Sequence, residues 1–191
     1  MTFWRIKMKI PRHLRIWIHC FFVVSFLLGC SQTNETVEAT EFKEYRNNKF
    51  SISYPFDWAV VEDSNDGSVA FNSPKESDED FISEHIMVMS TTLPDEARAP
   101  METYKNEIIE TMKKRSPGLE VQNTSNLTVN GLSALEILLK GKRDNVNIAL
   151  RLTVVAKGKT GYVIGFACQD GDLDKYASTI DKVTNSFKIL E

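Results

Sequence analysis

After residue 44 the apolar residues are spaced in two ways, one typical of β-strands and the other of α-helices. Apolar and polar side chains alternate, as in half-buried strands, through KFSISYPFDWAVVED at residues 49–63, where Pro55 breaks the run before Trp58 resumes it. Asn130-Gly131 and Lys157-Gly158-Lys159 are typical of tight hairpin turns, so consecutive strands should run antiparallel. The alternation returns in the segments SVAFNSP, HIMVMSTTL, LEVQNTSNLTV, LSALEILLKG, VNIALRLTVVAK and GYVIGFAC.

Two segments have helical spacing instead. PMETYKNEIIETMKKRSPG, residues 100–118, and DLDKYASTIDKVTNSFKIL, residues 172–190, repeat their apolar side chains every three or four positions. Each predicted helix has one apolar stripe that must pack on another element. We therefore predict an α+β fold in which an antiparallel β-sheet is flanked by helices, with Trp58 buried beneath one of them.

The amino-terminal pattern indicates export. An apolar run from residue 16 to residue 28 follows a segment with five basic side chains and no acidic ones, namely Arg5, Lys7, Lys9, Arg12 and Arg15. The run is about 13 residues long, against the roughly 20 that a helix needs to span a bilayer. We interpret residues 1–29 as a signal peptide.

The sequence LLGC at residues 27–30 resembles the lipobox of bacterial lipoproteins. That resemblance implies cleavage before Cys30 and attachment of a diacylglycerol to its thiol. The polar segment that follows is poor in large apolar residues, so we expect a flexible tether at residues 30–44 and a globular domain at residues 45–191. The protein should lie on the extracytoplasmic side of the cell membrane or the outer membrane.

The charge and the cysteine content of the chain argue against nucleic-acid binding and against an intramolecular disulfide. Five of the 23 basic residues and none of the 26 acidic ones precede Cys30, so the mature chain has a net charge of −8. A surface this acidic repels phosphate backbones and argues against nucleic-acid binding. Cys20 leaves with the signal peptide, and Cys168 has no second thiol for an intramolecular disulfide.

Several segments of the domain resemble the PsbP-like family, which is related to the PsbP subunit of photosystem II. The resemblance covers roughly residues 43–190 and rests on KFSISYPFDWAVVED, VAFNSP, NLTVNGLSALE and VTNSFKIL. It implies an α/β/α sandwich around an antiparallel sheet, and a family whose best-known members are non-enzymatic accessory proteins of a membrane complex. No motif in the sequence connects this chain with photosystem II.

A thiol nucleophile is one candidate chemistry. Cys168 with His85 as its base would form a nucleophilic pair. Cys168 ends an apolar strand, however, and His85 has no evident orienting partner, so we favour a structural role for the cysteine. Metal sites proposed for some PsbP-like proteins use histidine and acidic residues, and His85 is the single histidine after the predicted signal.

Acidic clusters are the weak candidates for a metal site. Asp170, Asp172 and Asp174 alternate as in the first half of an EF-hand loop, but Lys175 replaces the glycine required at the sixth position. We favour their interaction with the dipole of the following helix. The second cluster, in a loop between strands, includes Asp78, Glu79 and Asp80, and a solvated loop explains it without an ion.

These observations favour a lipid-anchored, non-catalytic binding or assembly protein at the outer side of a bacterial membrane. It would need no cofactor and would bind a protein or membrane complex through its surface. Two alternatives stay open at this point: an envelope enzyme with an unrecognised site, and a weak binder of divalent cations.

Overall fold

The computed structural model describes residues 41–63, 67–75, 83–92, 101–143, 145–158 and 160–190. Contacts between backbone segments place Thr36–Glu191 in one unit. In chain order the elements are β1 Phe42–Arg46, β2 Phe50–Pro55, β3 Ala59–Glu62, β4 Val69–Asn72, β5 His85–Thr92, α1 Met101–Arg115, β6 Glu120–Val129, β7 Leu132–Arg143, β8 Val146–Lys157, β9 Thr160–Gln169, a 3-10 turn Asp170–Asp172, α2 Ala177–Ser186 and β10 Lys188–Ile189.

The strands form two antiparallel sheets. Seven of them lie in the order β3-β4-β5-β9-β8-β7-β6, and three lie in the order β1-β2-β10. The predicted turns are present, because Asn130, Gly131 and Gly158 adopt the positive φ angles that tight hairpins require. The predicted α+β class with an antiparallel sheet is therefore confirmed.

One face of the seven-stranded sheet, which we call the α2 face, packs against β2 and α2. Because side chains alternate across a strand, Tyr162, Ile164 and Phe166 of β9 all reach this face. They share a core with Phe50 of β2 and with Phe187 directly after α2. The rings of Phe50, Tyr162 and Phe187 lie 5.3–6.0 Å apart between centroids, in tilted or edge-on geometry.

The opposite face, which we call the α1 face, has a separate core. Leu135, Ile137 and Leu139 of β7 join Leu152 of β8 there, and Met112 of α1 packs against them. The layer on the α2 face combines a helix with a second sheet, which makes the fold richer in strands than the α/β/α sandwich implied by the resemblance. A sandwich flanked by helices on both sides is thus not confirmed.

β1 lies partly within the segment that the sequence predicts as a tether. β1 begins at Phe42, so residues 42–44 of the expected tether belong to a strand. β1 pairs with β2 over five residues, from Phe42 opposite Pro55 to Arg46 opposite Ser51, and Phe42 and Tyr45 pack against the core of the α2 face. Pairing with β2 thus orders a segment whose own sequence has little strand character.

The second predicted helix is also shorter than expected. It ends at Ser186, where the hydroxyl accepts a hydrogen bond from the Ser53 N–H and donates one to the Val183 carbonyl. The side-chain amide of Asn130 donates to the carbonyls of Asn185 and Phe187, at 3.1 and 2.5 Å. These contacts satisfy groups at the helix end, and the chain then continues as β10 beside β2.

Trp58 is buried, as expected, with 7% of its surface exposed. The centroid of its ring lies 6.4 Å from that of Tyr176, the residue before α2, and the two ring planes form an angle of 70°.

Neither helix in the described part of the chain is both long and apolar enough to cross a membrane.

Replacing Trp58 by alanine should lower the free energy of unfolding by about 3–5 kcal/mol, because it empties a large core position. Phe56→Ala is the matched control: Phe56 is 53% exposed, and its loss should change stability by no more than about 0.5 kcal/mol. Urea unfolding followed by far-UV circular dichroism measures both. Equal effects of the two variants would contradict this assignment of the core.

Gly141 should not tolerate alanine. A Cβ at this position would lie 3.0 Å from the Leu119 Cα and closer still to the carbonyl of Gly118. Relief of that overlap should lower the free energy of unfolding by about 1–3 kcal/mol. Gly171→Ala provides the control, since a Cβ there meets nothing within 4 Å. A Gly141→Ala protein with the thermal stability of the wild type would contradict this prediction. It would mean that β7 and the turn at Gly118 move apart at little cost.

Candidate functional site

His85 and Cys168 lie on opposite faces of the seven-stranded sheet. His85 is opposite Ala167 in the β5–β9 ladder, so the side chains of these two residues share the α1 face. Cys168 is the next residue of β9, and its side chain belongs to the core of the α2 face. The sheet itself separates the imidazole from the thiol, so the two residues do not form a nucleophilic pair.

The ionisation of both groups agrees with this separation. Burial, followed by the nearby charges of Asp172, Glu84 and Asp170, raises the pKa of the Cys168 thiol to about 12. The thiol therefore stays protonated at neutral pH and is a poor nucleophile. Burial also lowers the pKa of His85. Cys168 is a core residue, as its position at the end of an apolar strand suggested.

The aspartates at the end of β9 lie in a 3-10 turn and in the turn that follows it. Asp170 and Asp172 begin and end the 3-10 turn, and the Asp170 carboxylate forms an ion pair with the Lys140 ammonium at 2.5 Å. The interaction with Asp170 raises the pKa of Lys140. Within the ranges that the structure describes, no group of three or more His, Cys, Asp or Glu side chains has metal-binding geometry. Asp170 thus serves as an ion-pair partner of β7.

The other proposed metal ligands, Asp78, Glu79 and Asp80, lie outside the described residues. Glu84 directly precedes β5. It is buried and accepts a hydrogen bond from the Ser73 hydroxyl at 2.8 Å. The Ser73 N–H donates to the Glu84 carbonyl at 2.9 Å. These two hydrogen bonds connect the residue after β4 with the residue before β5.

Arg151 is an important polar residue that the sequence pattern did not reveal. It lies on β8 and donates to Glu136 of β7 at 2.6 Å and to Asp181 of α2 at 2.7 Å. The guanidinium thereby connects the helix with the sheet. Arg151 also borders a small gap beneath α2, together with Thr153, Ile180 and Thr184. The gap has room for about one water molecule and is too small for an organic substrate.

A surface at the end of the three-stranded sheet has a different character. We call the residues Glu41, Phe42, Lys43, Phe56 and Asp57 the Phe56 tip. The Phe56 N–H donates to the Glu41 carbonyl at 3.0 Å, which ties the turn after β2 to the start of β1. The Lys43 ammonium lies 3.8 Å from the Phe56 ring centroid, and the Lys182 ammonium lies 5.7 Å from that of Phe42.

The strand that follows the Phe56 tip is also apolar and exposed. β3 is an edge strand of the seven-stranded sheet, and Val60 and Val61 are 39% and 55% exposed. The sequence placed Phe56 at the break between two strands. An aromatic residue at such a break is a signal of exposure that periodicity alone does not detect.

Comparison with known proteins assigns the family. The sequence profile described as "PsbP-like protein" matches residues 29–189, which is most of the chain. No curated protein matches the chain in sequence.

Solved structures with the same fold come from distant proteins. Cyanobacterial PsbP (CyanoP) from Synechocystis sp. PCC 6803 is 17% identical, with a TM-score of 0.60 over 80% of this chain and 95% of CyanoP. The Ran-binding protein Mog1p of Saccharomyces cerevisiae is 12% identical, with a TM-score of 0.57 over 79% of this chain and 96% of Mog1p.

LpqN of Mycobacterium tuberculosis, which is involved in cell envelope biogenesis, is 12% identical, with a TM-score of 0.55 over 78% of this chain and 90% of LpqN. At these identities the structural likeness establishes the fold and nothing finer. The profile match over residues 29–189 goes further, because it is a match to one family along most of the sequence. The chain therefore belongs to the PsbP-like protein family.

Proposed function

We propose that this protein is a lipid-anchored, non-catalytic binding or assembly protein at the outer side of a bacterial membrane. Its membership of the PsbP-like family over residues 29–189 carries the proposal. The proteins that share the fold include a Ran-binding protein and a protein involved in cell envelope biogenesis. They support the view that this fold serves as a scaffold for binding surfaces in unrelated settings.

The contacts of the candidate residues agree with a binding role. Cys168 is protonated in a core, Asp170 is engaged by Lys140, and Arg151 holds α2 to the sheet. These contacts stabilise the fold. The partner would be a protein or a membrane complex.

The proposed anchor is the lipid on Cys30. Its support is the sequence: basic residues, a short apolar run, LLGC, and a polar segment directly after the cysteine. Each acyl methylene buried in the bilayer contributes about 0.8 kcal/mol, so two or three chains hold the protein stably where one would not. An acidic domain gains little from attraction to anionic lipids, which leaves the acyl chains as the dominant interaction.

Cys30→Ser should abolish lipidation and the cleavage that depends on it, because the hydroxyl does not replace the thiol as the acceptor of the diacylglycerol. The variant should keep residues 1–29 and take up no labelled fatty acid, while the wild type should partition into detergent with a blocked amino terminus at residue 30. Mass spectrometry of the purified proteins measures these differences.

Cys20→Ser is the matched control, since Cys20 lies inside the apolar run that cleavage would remove. This variant should be lipidated and processed like the wild type. A wild-type protein that is freely soluble with an unmodified amino terminus at another residue would disprove the anchor.

Crosslinking in native membranes tests the binding role. A short amine-reactive crosslinker should join the wild-type protein to a small set of membrane proteins, identified by mass spectrometry. The same set should persist when crosslinking follows mild detergent extraction at high dilution, because dilution removes adducts due to chance proximity but not those within an assembly. Purified protein that turns over a substrate, with no discrete adduct in membranes, would contradict the proposal and favour an envelope enzyme.

A further inference from the structure

The Phe56 tip exposes an aromatic side chain where the chain enters the domain. Phe56 is 53% exposed, and its N–H is bonded to the carbonyl of Glu41, the first described residue. The Lys43 ammonium lies over its ring, 3.8 Å from the ring centroid. A half-exposed phenylalanine beside a lysine is the composition of a side-chain pair that enters the interfacial layer of a bilayer.

The length of the preceding segment limits how far the tip can lie from the membrane. This step rests on the proposed anchor at Cys30. Residues 31–40 span about 36 Å at full extension and much less on average. Since Glu41 is hydrogen-bonded to Phe56, the tip is always within that distance of the lipid surface. Lys49 lies at the other end of β2, where its carbonyl accepts from the Leu190 N–H at 2.8 Å.

We propose that the Phe56 tip docks on the lipid bilayer, with the Phe56 ring inserted at the boundary between headgroups and acyl chains. Phe42 and Lys43 border the contact, and the ammonium of Lys43 reaches the headgroup phosphates. With one basic and two acidic side chains, Lys43 against Glu41 and Asp57, the tip has a net charge of −1. The docking therefore depends on apolar contact and does not require anionic lipids.

The anchor makes such a small contact effective. One aromatic ring is too little to recruit a free protein to a membrane, but a short tether raises the local concentration of the tip at the surface to about the millimolar range. Docking then fixes the orientation of the domain. The end that carries Leu190, which is 37% exposed, points away from the bilayer and is available to a protein partner.

Depth-dependent fluorescence quenching of tryptophan variants tests the orientation. The full chain, purified with its native modification, is reconstituted into phosphatidylcholine vesicles whose acyl chains are brominated near the headgroup. Trp58 supplies a buried background, which the wild-type protein measures in the same vesicles. Phe56→Trp should be quenched about twofold or more, since a ring inserted roughly 5–10 Å below the headgroups contacts the bromines.

Leu190→Trp is the matched control, because it places the same fluorophore at an exposed apolar position of the opposite end. It should be quenched no more than the wild type. Equal quenching of the two variants in protein that floats with the vesicles would overturn the docking and leave the anchor intact. Shielding of Phe56→Trp in native membranes but not in pure lipid vesicles would also overturn it, in favour of a protein partner at the tip.

Failure of the anchor gives a separate result. If the protein stays out of the vesicle fraction on flotation, the lipid on Cys30 is absent and the docking inference falls with it. Flotation and quenching are read from the same sample, so the two failures are distinguished directly.

Discussion

The fold depends on the need to cover two apolar faces of one sheet. β8 and β9 are central, and their side chains are buried alternately on the α2 face and the α1 face; Ala149 and Leu152 of β8, for example, belong to different cores. Neither face can be left to water, because exposure of a buried leucine or phenylalanine costs about 1.5–3 kcal/mol each. Helix α1 therefore packs on one face, while α2 and the three-stranded sheet together pack on the other.

The long elements could be predicted from sequence because this constraint leaves a clear periodicity. β7, β8 and β9 have 10 to 12 residues each, and their turns contain Asn130-Gly131 and Gly158 at positive φ. β1 was missed because its two apolar residues, Phe42 and Tyr45, are three positions apart and so do not alternate as in a half-buried strand. The end of α2 was missed because it depends on Asn130, which is 55 residues away in the chain.

Contacts across the sheet explain why the candidate site residues needed a structure. The sequence places His85 and Cys168 in two strands but does not give their register, and it is the pairing of His85 with Ala167 that puts them on opposite faces. Likewise nothing near Arg151 in the sequence indicates that it meets both Glu136 and Asp181. A spacing rule finds a cluster that is local in sequence. Function that is distributed over a folded surface leaves no such spacing.

The two ends of the domain meet different physical requirements, and this asymmetry suits a tethered binding protein. Phe56 and Val61 remain exposed, and neither belongs to one of the two cores. Exposed apolar side chains on an edge strand promote association, and such edges are usually blunted by charge or kept short. β3 has only four residues and ends at Glu62, which limits pairing with another chain. Under the proposed anchor, a lipid on Cys30, eleven residues before Glu41, would keep the exposed ring of Phe56 close to a bilayer surface.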